Sequence, residues 1–370
     1  MRVNTRFLLT FAACMLVARA AVAADLLLVI NKGDNTLAII DAATLNILGT
    51  APSGPDPHEV VASADGRLAY ITNYNASNGG FASSLSVVDL VARTALPPID
   101  LGALTRPHGI TLADGKIYFS AEGAKVVARY DPATRKVDWV IGTGQDRTHM
   151  VIVSSDRKLI FTTNVSSATV SILEERAVGR RGGGPPPGAA PPGTPPPAAA
   201  GRGTAAPGPG RGAGFVPFPT SDWFVTTIPV GAGAEGYDLS PDGRELWVAN
   251  AQAGTVSVID VAAKKVAETL TVAFRSANRL KFTPDGKYAF ISDLGGTDVI
   301  VMDAATRKEI KRINVGGGAA GIQMSADGAR AFAAVGSRNG VAIIDVKTLQ
   351  VSGFIATGPG PDGLAWVVGR

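Results

Sequence analysis

The chain contains three histidines, and each opens a short, largely apolar run: His58 in Asp-Pro-His-Glu-Val-Val, His108 in Arg-Pro-His-Gly-Ile-Thr and His149 in Arg-Thr-His-Met-Val-Ile. Glu235, Asn278, Ala320 and Asp362 open the matching runs further along. Imidazole nitrogens beside a carboxylate oxygen suit one divalent transition ion such as Zn, Cu or Fe. His58, His108, His149 and Glu235 are therefore the expected metal ligands, or the groups that move protons if no metal binds. A metal held with an open position can polarise a substrate or acidify a bound water. Arg106 and Arg147 stand two residues before His108 and His149, and Arg275 stands three before Asn278. With Asn278 and Asp362 they are the candidate ligand-binding residues, the guanidinium groups attracting a carboxylate or phosphate.

What brings such residues together is a repeat with a period near 42 residues, the range of solenoids and propellers. Its clearest unit runs Ala234 to Gly243, then Glu245 to Asn250, Gly254 to Asp260 and Lys264 to Leu270. Each piece is short, β-branched or apolar, and bounded by Gly, Asp or Pro, which predicts antiparallel strands joined by tight turns. Four such strands make one propeller blade. The first turn recurs as Ala64-Asp65-Gly66, Ala113-Asp114-Gly115, Pro241-Asp242-Gly243, Pro284-Asp285-Gly286 and Ala326-Asp327-Gly328. Strand two closes on Asn73, Asn164, Asn250 or Asp293, the asparagines reading as local turn caps. Strand three closes on Asp41, Asp89, Asp131, Asp260, Asp303 or Asp345, a structural aspartate. Trp139, Trp223, Trp247 and Trp366 lie in strands and are expected to pack between blades.

These units resemble the bacterial YVTN-type β-propeller repeat, similar in pattern to seven-bladed lactonase-like propellers. The resemblance covers about residues 25–176 and 221–370 and implies an all-β fold of seven four-stranded antiparallel blades. Six units begin near residues 55, 105, 146, 232, 275 and 317. The seventh takes its innermost strand from Gly363 to Val368 and the other three from Leu26 to Thr50, so the two chain ends pair to close the ring. On a closed ring, equivalent repeat positions face one another. The opening residues of the innermost strands then meet where the axial channel reaches the top face.

Two segments stand apart from the repeats. Residues 1–24 carry Arg2 and Arg6, an apolar stretch from Phe7 to Ala18 and an Ala21-Val22-Ala23 cleavage pattern, which reads as a secretory signal peptide. Export to a periplasm or the medium is expected. The single cysteine, Cys14, lies in this leader, and its surroundings match a lipoprotein acylation site poorly, leaving the mature chain without a thiol. Residues 177–220 hold 12 of the 24 prolines, a composition that offers little apolar area against the entropy of ordering. They predict an extended insertion between strands three and four of the His149 blade, able to contact the cell envelope. The leader and insertion contain seven arginines and no acid, so the net charge of +4 leaves the propeller itself negative. A nucleic-acid surface is excluded on that ground. No transmembrane segment is expected, and the chain reads as a monomer.

The first reading is an exported propeller that binds a small molecule or a protein at its top face. The alternative, implied by the likeness to lactonase-like propellers, is a metal-assisted hydrolase or lyase acting there on a small acidic substrate. The chain keeps Glu235, Asn278 and Asp362 of the gluconolactonase-like calcium pattern. It adds three histidines, which calcium does not favour, and has fewer than the four of carotenoid-cleaving propellers. No nucleophile elbow, P-loop, dinucleotide fingerprint or His-Glu-x-x-His is present.

Overall fold

Among the described residues, seven four-stranded antiparallel sheets arise from the seven repeats, six of them with their strands in chain order from the axis outward. The computed structural model describes residues 24–178 and 221–369. Blades 1 to 6 have innermost strands Pro57–Ala62, Pro107–Ala113, Thr148–Val153, Ala234–Leu239, Ala277–Phe282 and Ala319–Met324. Blade 7 takes its innermost strand, Pro361–Val367, from the C-terminal end and pairs it antiparallel with Leu26–Asn31, with Leu28 opposite Ala365. The closure drawn from the repeats is thus the closure observed.

Strand faces alternate so that each blade buries apolar side chains against both neighbours. At the closing seam Leu28, Ile30 and Val367 of blade 7 pack with Val60, Ile71 and Val88 of blade 1. Trp247 is fully buried and meets Phe282 of the next blade edge-on at 5.4 Å. Trp139 and Trp223 meet across blades 2 and 3 at 4.8 Å, and Trp366 meets Phe332 at 5.8 Å.

Side-chain hydrogen bonds fix the turns. Ser63 Oγ and the Arg67 N–H both donate to Asp65 Oδ1, at 2.6 and 3.1 Å, while Gly66 takes a φ of 69°. The closing aspartate of strand three accepts from the turn that follows, as Asp41 does from Thr44 N at 2.7 Å. The asparagines of strand two differ from the expectation of local caps. Asn250 is buried, and its Nδ2 donates to Thr255 Oγ1 and Ser257 Oγ at 3.0 and 2.9 Å, tying strand two to strand three. The buried amide thus places its N–H donors on hydroxyls inside the blade, while Oδ1 has no protein partner.

In blade 3, strands Thr169–Ala177 and Ser221–Pro229 run further than expected, with Ala177 paired to Ser221. The leader and the inner part of the insertion lie outside the described residues. Among the described residues no helix is long and apolar enough to cross a membrane.

Candidate functional site

The innermost strand of each blade carries a bulge at its opening residue. In blade 1 the register passes from Pro57–Asn73 to Val60–Ile71, so His58 and Glu59 together oppose Thr72. The same step places His108 and Gly109 opposite Ser120, and His149 and Met150 opposite Thr163. Such a bulge re-aims side chains, here toward the channel. The hydroxyl opposite the bulge then bridges to the next blade. Thr72 Oγ1 accepts from Glu59 N at 3.1 Å and donates to the His108 carbonyl at 2.7 Å. Ser120 accepts from Gly109 N at 2.9 Å and donates to the His149 carbonyl, and Thr163 donates to the Glu235 carbonyl at 3.1 Å. Gly109 permits this close approach, since a Cβ there would fall 2.6 Å from the His149 carbonyl oxygen.

The backbone ahead of the histidines is unusual. Asp56, Arg106 and Arg147, each two residues before a histidine, have φ of 46°, 56° and 53°. Gly233 and Gly360 fill that place in blades 4 and 7 with φ of 74° and 61°. Left-handed backbone is costly for residues other than glycine and tends to gather at functional sites.

A cavity of about 170 Å³ lies at the channel mouth, and His58, His108, His149, Glu235, Asn278 and Asp362 all line it. The imidazoles stack in blade order, His58 to His108 at 4.6 Å and His108 to His149 at 3.7 Å between ring centroids. His149 Nδ1 is 2.6 Å from Glu122 Oε1, and its Nε2 is 2.9 Å from Glu235 Oε1 but out of line for a hydrogen bond. Burial alone would push the His149 imidazole down; the carboxylates of Glu235 and Glu122 outweigh it and raise it to about 9. Burial also works against ionising Glu235, and the His149 charge prevails and brings it to about 2. His108 is held well below the usual range by burial and by the neighbouring His149 and His58 rings, and its Nδ1 is buried without a partner.

His108, Glu122 and His149 form the one group, among the described residues, in which three such side chains bring donor atoms within 4.8 Å of one another. All three are buried. The expected set of His58, His108, His149 and Glu235 does not gather in this way. His58 is engaged by other partners, with Lys32 Nζ 2.9 Å from Nε2 and Asp56 Oδ1 at 3.3 Å. Glu235 stands beside the group through His149. Of the arginines, Arg147 lines the cavity, with Nε 3.7 Å from Glu122 Oε2. Arg106 is instead stacked 4.1 Å over the Tyr74 ring, and Arg275 is exposed away from the cavity.

Sequence reasoning missed Lys32, Tyr74 and Glu122, which occupy one repeat position, just after the residue paired with the start of the innermost strand. In the other blades that position holds Val165, Ala251, Leu294 and Gly336. Three polar side chains in consecutive blades were the available signal. Also missed was Arg279, whose guanidinium donates to Glu59 Oε1 through Nε at 3.0 Å and through Nη2. This buried pair joins blades 1 and 5 across the axis and separates the upper cavity from a second one, of about 370 Å³, beneath it.

Residues 219–322 match the model of the cytochrome D1 heme domain family, a stretch well under half of the chain. Among curated proteins no sequence matches. Solved structures share the fold. A protein of unknown function from Desulfotomaculum acetoxidans is 12% identical with a TM-score of 0.69, covering 93% of this chain and 99% of its own. A candidate 6-phosphogluconolactonase from Bacteroides uniformis is 15% identical with a TM-score of 0.66 over 93% and 99%. A dihydro-heme d1 dehydrogenase is 17% identical with a TM-score of 0.58 over 93% and 67%. The seven-bladed propeller expected from the repeats is the fold observed, and the candidate 6-phosphogluconolactonase shares it. A heme does not fit the site. The cavity is smaller than the roughly 300–1,000 Å³ of drug-sized ligand pockets. Its imidazoles crowd one another, His108 and His149 lying 3.7 Å apart between ring centroids, and the family match contains no histidine.

Proposed function

We propose that this chain is an exported binding propeller whose top-face pocket holds one divalent transition ion on His108, His149 and Glu122. The ion keeps an open position for a small ligand. The observation that carries this reading is the convergence of three buried donors, one of which, His108 Nδ1, has no partner in the protein. A buried polar nitrogen left unpaired is costly unless something outside the chain satisfies it. Two imidazoles and one carboxylate favour Zn, Cu or Fe over calcium. Lys32 in the cavity is already paired with Asp56 and Asp362, so Arg147 is the cation that favours an anionic group on the ligand. Export rests on the arginine-led apolar leader of residues 1–24.

Metal analysis of tag-free protein tests this. About one equivalent of Zn, Cu or Fe is expected in the wild type, with little in His108→Ala. Protein that takes up no metal at stoichiometric supply contradicts it.

A second reading, hydrolysis of a small cyclic ester, draws on Glu235. Its carboxylate lines the cavity beside the donor group and can accept a proton from a metal-bound water. Turnover of lactones by the metal-loaded protein, lost in Glu235→Gln, would support it.

A further inference from the structure

We infer that Tyr74 is the positioning residue of the metal site, fixing Glu122 as a ligand through its hydroxyl; the inference rests on the metal reading above. Glu122 follows strand Lys116–Ala121 and reaches toward blade 3. One oxygen, Oε1, lies 2.6 Å from His149 Nδ1, and the other, Oε2, accepts the Tyr74 hydroxyl. Without that hydroxyl, Oε2 would retain only Arg147 Nε at 3.7 Å, too far to orient it.

Lys32, Tyr74 and Glu122 each act on the blade that follows their own. Lys32 of blade 7 approaches His58 of blade 1, and Glu122 of blade 2 holds His149 of blade 3. Tyr74 of blade 1 serves blade 2 twice, presenting its ring edge-on to His108 at 5.5 Å and its hydroxyl to Glu122. The side chain that binds one donor thus also packs against the other.

Tyr74 is itself clamped. Its N–H donates to the Asp56 carbonyl at 3.1 Å. The Arg106 guanidinium lies 4.1 Å over its ring and 4.6 Å from Phe81, so arginine is sandwiched between two aromatic rings. Phe81 is available because strands Leu68–Asn75 and Phe81–Asp89 of blade 1 are extended to eight and nine residues. Arg106 therefore holds Tyr74 rather than crowning the cavity. Groups that hydrogen-bond a ligating carboxylate set its orientation, and losing one typically weakens metal binding about 10–100-fold.

The test is Co²⁺ affinity by chelator competition, with the visible spectrum of the bound ion, on wild type, Tyr74→Phe, Glu122→Gln and the double variant. Tyr74→Phe keeps the ring and its packing and removes the hydroxyl alone. About 10–100-fold weaker binding and an altered cobalt spectrum are expected, with the melting temperature of the metal-free protein little changed. In the Glu122→Gln background the same change is expected to have a much smaller effect, because the two residues act as one unit. Arg106→Met, which leaves the hydroxyl in place but removes the clamp, is expected to weaken cobalt binding by a smaller factor. It supplies the comparison if Tyr74→Phe is poorly folded. Equal affinity in wild type and in every folded variant at Tyr74 and Arg106 overturns the inference while leaving the metal site standing. A wild type that binds no cobalt overturns the metal reading, and the inference with it.

Discussion

His149 Nδ1 and Glu122 Oε1 lie 2.6 Å apart although they belong to different blades, and both side chains are buried. The contact exists because Glu122 reaches one blade forward while the bulge at His149 turns the imidazole inward. With the imidazole raised to about 9 by the carboxylates of Glu235 and Glu122, the metal-free pair is an imidazolium beside a carboxylate at neutral pH. When a metal binds, the proton must leave, since a ligating nitrogen needs its lone pair.

A pH dependence follows from that pair. The His149 imidazole is raised to about 9, above the unfolded value near 6.5. Its contribution to stability is therefore fully present below pH 6.5 and is lost as the pH rises through 9. Thermal melts of metal-free protein are expected to show stability declining between pH 6.5 and 9, a decline absent from His149→Gln. Zinc affinity, followed in the same buffers, is expected to rise over that interval. A His149→Gln variant with the wild-type pH profile contradicts the assignment.

The Glu59–Arg279 pair makes a different prediction. Both residues are buried, and removing one leaves the other charge unpaired. Urea unfolding of Arg279→Ala is expected to show a loss of about 3–5 kcal/mol, whereas Glu59→Gln combined with Arg279→Met recovers much of it. A single variant within about 1 kcal/mol of wild type would show that the pair does not brace the ring.

Gly109 links packing to the site. A methyl group there would fall 2.6 Å from the His149 carbonyl oxygen, so the strand carrying His149 must move outward. Gly109→Ala is expected to cost about 1–3 kcal/mol in denaturant melts and to weaken metal binding as well. Stability lost with metal affinity intact would mean that the strand relaxes without disturbing His149.

Ser120 offers a gentler perturbation of the same strand. Its hydroxyl holds the His149 carbonyl, and Ser120→Ala leaves that buried oxygen without this donor. A loss of about 1–3 kcal/mol is expected in chemical unfolding. No change would assign the alignment of blades 2 and 3 to apolar contacts alone.

Much of the fold was legible because its signals are local. Asp65-Gly66 and its counterparts mark turns wherever they occur, and a period near 42 residues counts the blades directly. The placing of His58, His108 and His149 at one mouth was legible for a related reason, since equal repeat positions on a ring must face one another. The chemistry within the mouth was less so. Glu122 and Tyr74 matter because each reaches across to the next blade, which depends on how neighbouring blades are staggered rather than on any residue nearby in sequence. Arg106 misled for the same reason. Its spacing from His108 suggested a crown over the cavity, but its left-handed backbone and the adjacent Tyr74 and Phe81 rings turn it into a clamp.

The most direct measurement is anomalous diffraction at the zinc absorption edge from crystals grown with stoichiometric zinc. One strong peak between His108, Glu122 and His149 is predicted, absent from crystals of Glu122→Gln. A peak among Lys32, Asp56, His58 and Asp362, or no peak at the channel mouth, would contradict the assignment of the site.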